Sequence, residues 1–206
     1  MGKKFYAYVL IEENSNGIVD SWDLCKEIIT GKKTRYKSFK KLEEAKDWLS
    51  KGGVYEDKKA LKEELKKSLR EGVFFDAGTG RGIGVEVRVT DIKGLSYLPK
   101  HLPSNMVNEF GNFLAPDYST NNYGELIGLF LAIDIALKEN LKEIFGDSKL
   151  VIDYWSKGAF KKDNLNDKTV SLIEKVILKR KNFESLGGKI SHVSGDINPA
   201  DLGFHK

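Results

Sequence analysis

"GDSKLVIDYWSKG", Gly146 to Gly158, decides where a strand of this chain ends and a helix begins. It carries two acids, Asp147 and Asp153. "KLVIDYW" has the β-branched and aromatic character of a buried strand, which would place Asp153 at the strand end. "GDS" equally reads as a strand end followed by a helix start, with Asp147 at the junction. Local propensity leaves both readings open, and the choice fixes which acid is available for chemistry at the edge of a sheet.

The chain has 206 residues, room for one large domain or for a small and a medium one. A hydrophobic share of 40% and a charged share of 31% describe an ordinary soluble globular protein. No apolar run approaches the ~20 residues of a membrane span. "MGKKFYAYVLIEEN" has neither an adequate signal-peptide apolar region nor a cleavage site, no membrane is expected to be involved, and the lone cysteine makes a cytoplasmic setting the default expectation. A single cysteine, Cys25, excludes an intrachain disulfide, and with three histidines in all the chain is poorly equipped for a Cys/His zinc site. The net charge of +4 is unevenly spread. "GKKTRYKSFKK" (Gly31 to Lys41) holds six basic residues and no acid. Such a run is commonly a solvated loop. Tyr36 and Phe39 within it add ring surface for sugars or bases beside cations for phosphate.

The first fifty residues pattern as a small ββαβα unit. "KFYAYVLI" and "GIVDSW" read as strands joined by the turn residues "ENSNG". "SWDLCKEII" opens a helix with Ser21 as N-cap. "TRYKSF" supplies another strand, and "KKLEEAKDWLS" an amphipathic helix with Leu42, Ala45, Trp48 and Leu49 on one face. The core of such a unit is small, so Trp22 and the other aromatics have a structural reading too. "KGGVYEDKKALKEELKKSLREG" is a charged helical connector. Its narrow stripe of Leu61, Leu65 and Leu69 either stays exposed or docks on a domain. The expected boundaries are 1–52, 53–71 and 72–206. From Gly72 two β-rich runs flank a glycine-rich bend in "VFFDAGTGRGIGVEVRV", and a third strand is expected between "LSYLPKHLP" and "MVNEFGNFLAP". "NNYGELIGLFLAIDIALKENL" and "NDKTVSLIEKVILKRKNFE" are helices, and "GGKISHVSG" is a short strand. Strands first, then alternating helix and strand, give an α/β mixed sheet with helices packed on it.

The glycines of "DAGTGRGIG" fail as a dinucleotide fingerprint, because Ile83 stands where the third glycine belongs and a strand follows instead of a helix. No G-K-[ST] completes a phosphate loop either. They read as backbone freedom beside Asp76, where a bulky substrate approaches. Asp76 itself ends the apolar "VFF", where an acid without a partner is costly. It also has a plain reading as a turn aspartate. Glu125 lies in the first turn of an apolar helix, where helix-dipole complementarity would suffice to explain it. Asp201 follows Pro199 at the start of a short terminal element. Taken together, acids in this order can converge, and converging carboxylates need cations, for which hard divalent ions such as Mg²⁺ are suited.

"VFFDAGTGRG", "TNNYGEL", "GDSKLVIDYWSKG" and "NPAD" resemble the ordered motifs of a type 1 ribonuclease H. "FYAYV…GIVDSWDLCKEI…TRYKSFKKLEEAKDWL" resembles the hybrid-binding, caulimovirus viroplasmin-like domain found ahead of such enzymes. The resemblance implies an α/β, RNase H-like fold: a five-stranded mixed sheet flanked by helices, preceded by a small hybrid-binding domain. It implies an endonuclease that cuts the RNA strand of RNA–DNA hybrids with two Mg²⁺ ions (Mn²⁺ being a possible substitute), leaving 5′-phosphate and 3′-hydroxyl ends. Asp76, Glu125, Asp147 and Asp201 would hold the metal. Thr120, Asn121 and Asn122 would hold the hybrid, as would Tyr6, Trp22, Arg35, Tyr36 and Lys37 in the N-terminal module. The alternative is an RNase H-like nuclease, or a nucleic-acid binding protein, acting on another duplex such as double-stranded RNA, and no obligate protein partner is implied.

The sequence departs from the family in places. Asp196 of "SGDIN" stands where many members carry an active-site histidine, and His192 reads as structural. His205 is too near the end to be placed. The catalytic half shows no separate basic protrusion. Ser38 replaces a second lysine, and "IEENSN" lacks the basic hairpin residues common in relatives. In the family register the strand is "KEIFG" and a helix begins at Asp147. Asp153 then falls about 120° round that helix on a polar side, and Leu150, Val151 and Tyr154 face inward.

Overall fold

The structure, a computed structural model, describes residues 4–55 and 57–204. His205 lies outside them. The chain divides into two compact units, Met1–Leu61 and Lys62–Lys206, so the division falls within the charged connector.

In the first unit β1 (Phe5–Leu10) is the central strand of three, with β2 (Ser15–Val19) and β3 (Thr34–Phe39) antiparallel on either side. β2 begins earlier than the sequence suggests. Asn14 takes positive φ, which confines the turn and frees Ser15 to pair with Leu10. Between the strands run α1 (Trp22–Ile29) and, after β3, α2 (Leu42–Ser50). Ser21 precedes α1 in extended conformation, but its hydroxyl makes no cap hydrogen bond. Ala45 and Trp48 of α2 are buried against Ala7 of β1, with Leu49 beside them. Trp48 also donates its indole N–H to the carbonyl of Val54 at 2.9 Å, which ties the chain beyond the helix to it.

α3 (Lys58–Lys67) is the connector helix. Leu65 stays exposed, whereas Leu69 just beyond the helix packs with Phe74, Phe145 and Ala200. In the second unit β4 (Val73–Gly78) and β5 (Glu86–Thr90) lead to α4 (Leu98–His101), β6 (Phe113–Leu114), α5 (Asn121–Lys138), β7 (Glu143–Gly146), α6 (Asp167–Ser185) and β8 (Lys189–His192). The sheet order is β6-β5-β4-β7-β8. β4, β5 and β6 pair antiparallel, and β4, β7 and β8 pair parallel. This is the mixed five-stranded sheet flanked by helices that the sequence resemblance implied. Every residue of β4 is buried. Phe75 joins the main core beneath α5 and α6, and Phe74 stacks on Phe145 at 4.9 Å on the thinner opposite side. Among the described residues no helix is long and apolar enough to cross a membrane.

The stretch Gly146–Gly158 is neither the strand nor the regular α-helix of the two readings. β7 closes at Gly146 and Asp147 occupies a bend. The helical path starts at Lys149, two residues after Asp147, and runs through a wide π-type turn at Leu150–Tyr154 into a tighter one at Trp155–Lys157. The wide turn changes the inward set. Val151, Ile152 and Trp155 are buried, while Leu150 and Tyr154 are exposed, a correction to the α-helical expectation. The cause is tertiary. Arg180 of α6 drives its guanidinium onto the carbonyl of Ile152 and the hydroxyl of Ser156, both at 2.6 Å, so that carbonyl is satisfied without a regular helical partner. Asp153 is on the polar side, 3.2 Å from Lys157.

Candidate metal centre and nucleic-acid surface

Three acids from three elements meet at one end of the second unit's sheet. Asp76 comes from the C-terminal half of β4, Asp147 from the bend after the parallel strand β7, and Glu125 from the second turn of α5. Open sheets place ligands beyond the carboxyl ends of their parallel strands. Glu125 reaches this edge because Gly124 brings α5 close. A Cβ at Gly124 would run into the side chains of Val85 and Ala77. The helix starts cleanly there because Thr120 caps it, its hydroxyl accepting the Tyr123 N–H at 3.2 Å, a cap worth about 1 kcal/mol.

One ligand atom from each of Asp76, Glu125 and Asp147 can be chosen so that all lie within 4.8 Å of one another. Asp76 is 3% and Glu125 5% exposed. Burial, then the charges of Asp76 and Asp147, pushes the Glu125 carboxyl up to about 10. Burial, with smaller contributions from Asp147 and Asp201, raises Asp76 to about 6 against hydrogen bonds from the Leu202 and Ala77 N–H groups. Asp147 is also raised, by burial first, although Asn198 donates to it. Glu125 Oε1 accepts the Ala77 N–H at 3.3 Å, but Oε2 is buried with no hydrogen-bond partner. An acceptor left bare inside protein is costly. Carboxyls held so close that burial and mutual charge keep protons on them give up those protons to a hard divalent cation, which takes oxygen ligands of this kind.

Asp201 is not part of that close trio. It is half-buried, accepts the Gly203 N–H at 2.8 Å, and acts on Asp76 and Asp147 through its charge. One neighbour, Asn198, escapes the sequence reading, and another, His192, reads as structural in it. Asn198 is buried and donates to the carbonyl of Phe75 at 3.0 Å as well as supporting Asp147; its signal was its place in "NPAD". His192 Nε2 lies 3.1 Å from the Asp147 carbonyl. A carbonyl only accepts, so that nitrogen carries the proton. His192 is exposed and touches the bend that holds Asp147, which places it at the margin of the cluster. The glycine-rich bend also differs from expectation. Side chains at Gly78 and Gly80 would collide with the ring of Phe204, so the close approach there is made by the chain itself.

Thr120, Asn121 and Asn122 are exposed at the start of α5, one turn from Glu125. In the first unit Trp22 lies between Tyr6 and Tyr36, each ring pair 5.6 Å apart, and Trp22 and Tyr36 are 40% and 42% exposed. Tyr55 holds Tyr36 in place, its hydroxyl accepting the Tyr36 N–H at 2.9 Å and donating to the Tyr36 carbonyl at 2.8 Å. Arg35 and Lys37 flank Tyr36 on β3, and strand alternation sends them to the opposite face. Lys37 reaches over Phe39, and Arg35 is half-buried with its Nε unpartnered. The three aromatics therefore form one surface, and the two cations lie on the other face of β3.

These features define a class: an α/β unit with a buried carboxylate cluster at its strand ends, preceded by a small three-stranded module with an exposed aromatic surface. Residues 4–49 match the family model described as the ribonuclease H1 N-terminal domain, the part of the chain for which the sequence resemblance to a type 1 ribonuclease H implied an N-terminal hybrid-binding domain. Among solved structures the chain is similar to RNase H1 from the halophilic archaeon Halobacterium salinarum NRC-1, with 22% identity, a TM-score of 0.36, and coverage of 61% of this chain and 86% of that one. It is similar to LC11-RNase H1, isolated from compost by a metagenomic approach, at 18% identity, TM-score 0.36, and 61% and 84% coverage. It is also similar to the N-terminal RNase H domain of Rv2228c from Mycobacterium tuberculosis at 20% identity, TM-score 0.33, and 60% and 85% coverage. A search among curated proteins found no match.

Proposed function

We propose that the chain is a divalent-metal-dependent ribonuclease H that cleaves the RNA strand of RNA–DNA hybrids. The observation that carries this reading is the bare, buried Oε2 of Glu125 among the carboxylates of Asp76 and Asp147, a set that is stable as charge only around cations. The ribonuclease H1 N-terminal domain ahead of it supports a hybrid as the nucleic acid.

Asp76, Glu125 and Asp147 hold the metal, and Asp201 completes the acidic set from its margin. When bound, a pair of Mg²⁺ ions supplies activation of water and charge stabilisation at the leaving 3′-oxygen, giving 5′-phosphate and 3′-hydroxyl ends. Asn198 and the Leu202 N–H orient Asp147 and Asp76. Thr120, Asn121 and Asn122 offer hydroxyl and amide groups to the 2′-hydroxyl and base edges that distinguish RNA. Tyr6, Trp22 and Tyr36 give the first unit a stacking surface, and Arg35 and Lys37 give it charge.

The test is cleavage of labelled hybrid, duplex RNA and duplex DNA in Mg²⁺, with Asp76→Asn as the control. Cutting confined to the RNA of the hybrid and lost in the variant is expected. Equal cutting by both proteins would overturn the assignment, and preferential cutting of duplex RNA would replace the substrate.

A further inference from the structure

Beside the acidic cluster the second unit contains a cavity of about 370 Å³, lined by Lys62, Lys66 and Leu69 together with the loop after β5 and the segment that leads to Asp201. Lys62 and Lys66 are one helical turn apart, so both ammonium groups leave the same face of α3. Lys93 adds a third cation from the loop after β5. Lys62 lies 3.8 Å from Asp196, whose carboxylate is largely exposed. Among the described residues neither Lys66 nor Lys93 has an ion-pair partner. Against the two carboxylates that line the same cavity, Asp196 and Asp201, the three cations leave one positive charge in excess, which favours an anion that reaches Lys66 and Lys93. Leu69, Ile92 and Pro199 give the same cavity apolar surface, and Asp201 lines it while acting electrostatically on Asp76 and Asp147.

We propose that this cavity binds a sugar–phosphate unit of the nucleic-acid strand adjacent to the acidic cluster, Lys62, Lys66 and Lys93 neutralising the phosphate and Leu69, Ile92 and Pro199 receiving the apolar face of the sugar. The connector helix thus serves as a basic contact for the second unit, whose sequence has no separate basic protrusion. The proposal rests on the nuclease reading for the identity of the strand.

The experiment measures binding of a fluorescent RNA–DNA hybrid to the full chain in EDTA between about 50 and 200 mM salt, where each neutralised phosphate contributes about 0.9 to the salt slope. Lys66→Ala with Lys93→Ala should lower the slope by about 0.9, the share of the one phosphate held there, and weaken binding about tenfold. Lys66→Arg with Lys93→Arg should retain both values, because it keeps the charge. An unchanged slope in the alanine pair, or an equal loss in the arginine pair, overturns the proposal. Wild-type cleavage run alongside separates the two readings. Cleavage with an unchanged slope removes only the cavity, whereas no cleavage with a reduced slope removes the nuclease reading and leaves a phosphodiester site.

Discussion

Asp76→Asn tests the electrostatics of the acidic cluster without reference to catalysis. Burial is the first cause that lifts this carboxyl from 3.8 to about 6, and at 1.36 kcal/mol per pH unit that rise corresponds to about 3 kcal/mol. The sign follows from the proton balance. Below about pH 3.8 the acid is neutral in both folded and unfolded chains, and there is no penalty. As pH rises toward 6 the unfolded chain releases its proton first, so stability is progressively lost, and above 6 the whole ~3 kcal/mol is gone. Asparagine cannot ionise, and its amide oxygen still accepts the Leu202 N–H that Asp76 Oδ2 takes at 2.9 Å. In EDTA the variant should therefore match wild type near pH 4 and exceed it by about 3 kcal/mol at pH 7 to 8. Urea denaturation followed by circular dichroism reads this through α5 and α6, the two longest helices. Saturating Mg²⁺ should raise wild type more than the variant and narrow the gap by mass action. A difference between the two proteins that stays flat from pH 4 to 8 would refute the reasoning.

Three further outcomes are expected. Asp147→Asn should abolish hybrid cleavage while Asp153→Asn keeps most of it, since Asp153 is exposed and paired with Lys157; comparable losses in both would place the chemistry elsewhere. Trp22→Ala should weaken hybrid binding by about 1–3 kcal/mol, the range for loss of a base-stacking ring, and a dissociation constant equal to wild type in an anisotropy titration rejects the aromatic surface. Gly195→Ala puts a methyl 2.7 Å from Asp147 Oδ2. The carboxylate has to turn from its Asn198 partner to make room, so half-saturation for Mg²⁺ should rise about tenfold with about 1 kcal/mol lost in unfolding, and an unaltered metal titration counts against Asp147 as a ligand.

Legibility in the sequence followed how local each determinant was. β1 and β3 announced themselves through alternating aromatic and β-branched residues, and α5 and α6 through length and apolar faces, because those signals are complete within each segment. β6 has only two residues and owes its existence to pairing with β5, so its neighbourhood was readable and its place was not. The order of the acids was legible, but their convergence depends on Gly124 admitting α5 to the sheet, a contact between residues far apart in sequence. The same holds for Asn198 and His192. Their types gave no warning, and only the fold carries them to Asp147. Gly78 and Gly80 were read as room for a substrate, whereas Phe204 supplies the close contact from the other end of the chain.

The bend at Asp147 shows how that non-local control reaches the chemistry. An unbroken strand through "KLVID" would carry Asp147 into the ladder and hold its side chain at a fixed pleat position. A regular α-helix from Asp147 would place its carboxylate as a cap on the helix's own N–H groups. Neither happens. Gly146 ends β7, the helical path waits until Lys149, and Asp147 keeps its carboxylate available to Asn198 and close to Asp76 and Glu125. The apolar residues that made "KLVID" resemble a strand are used instead to anchor the segment. Val151 and Ile152 enter the core, and Arg180 takes the Ile152 carbonyl from α6. A strong β-pattern downstream of the acid is therefore what a rigidly held bend requires, because the segment that fixes Asp147 must itself be buried immediately after it.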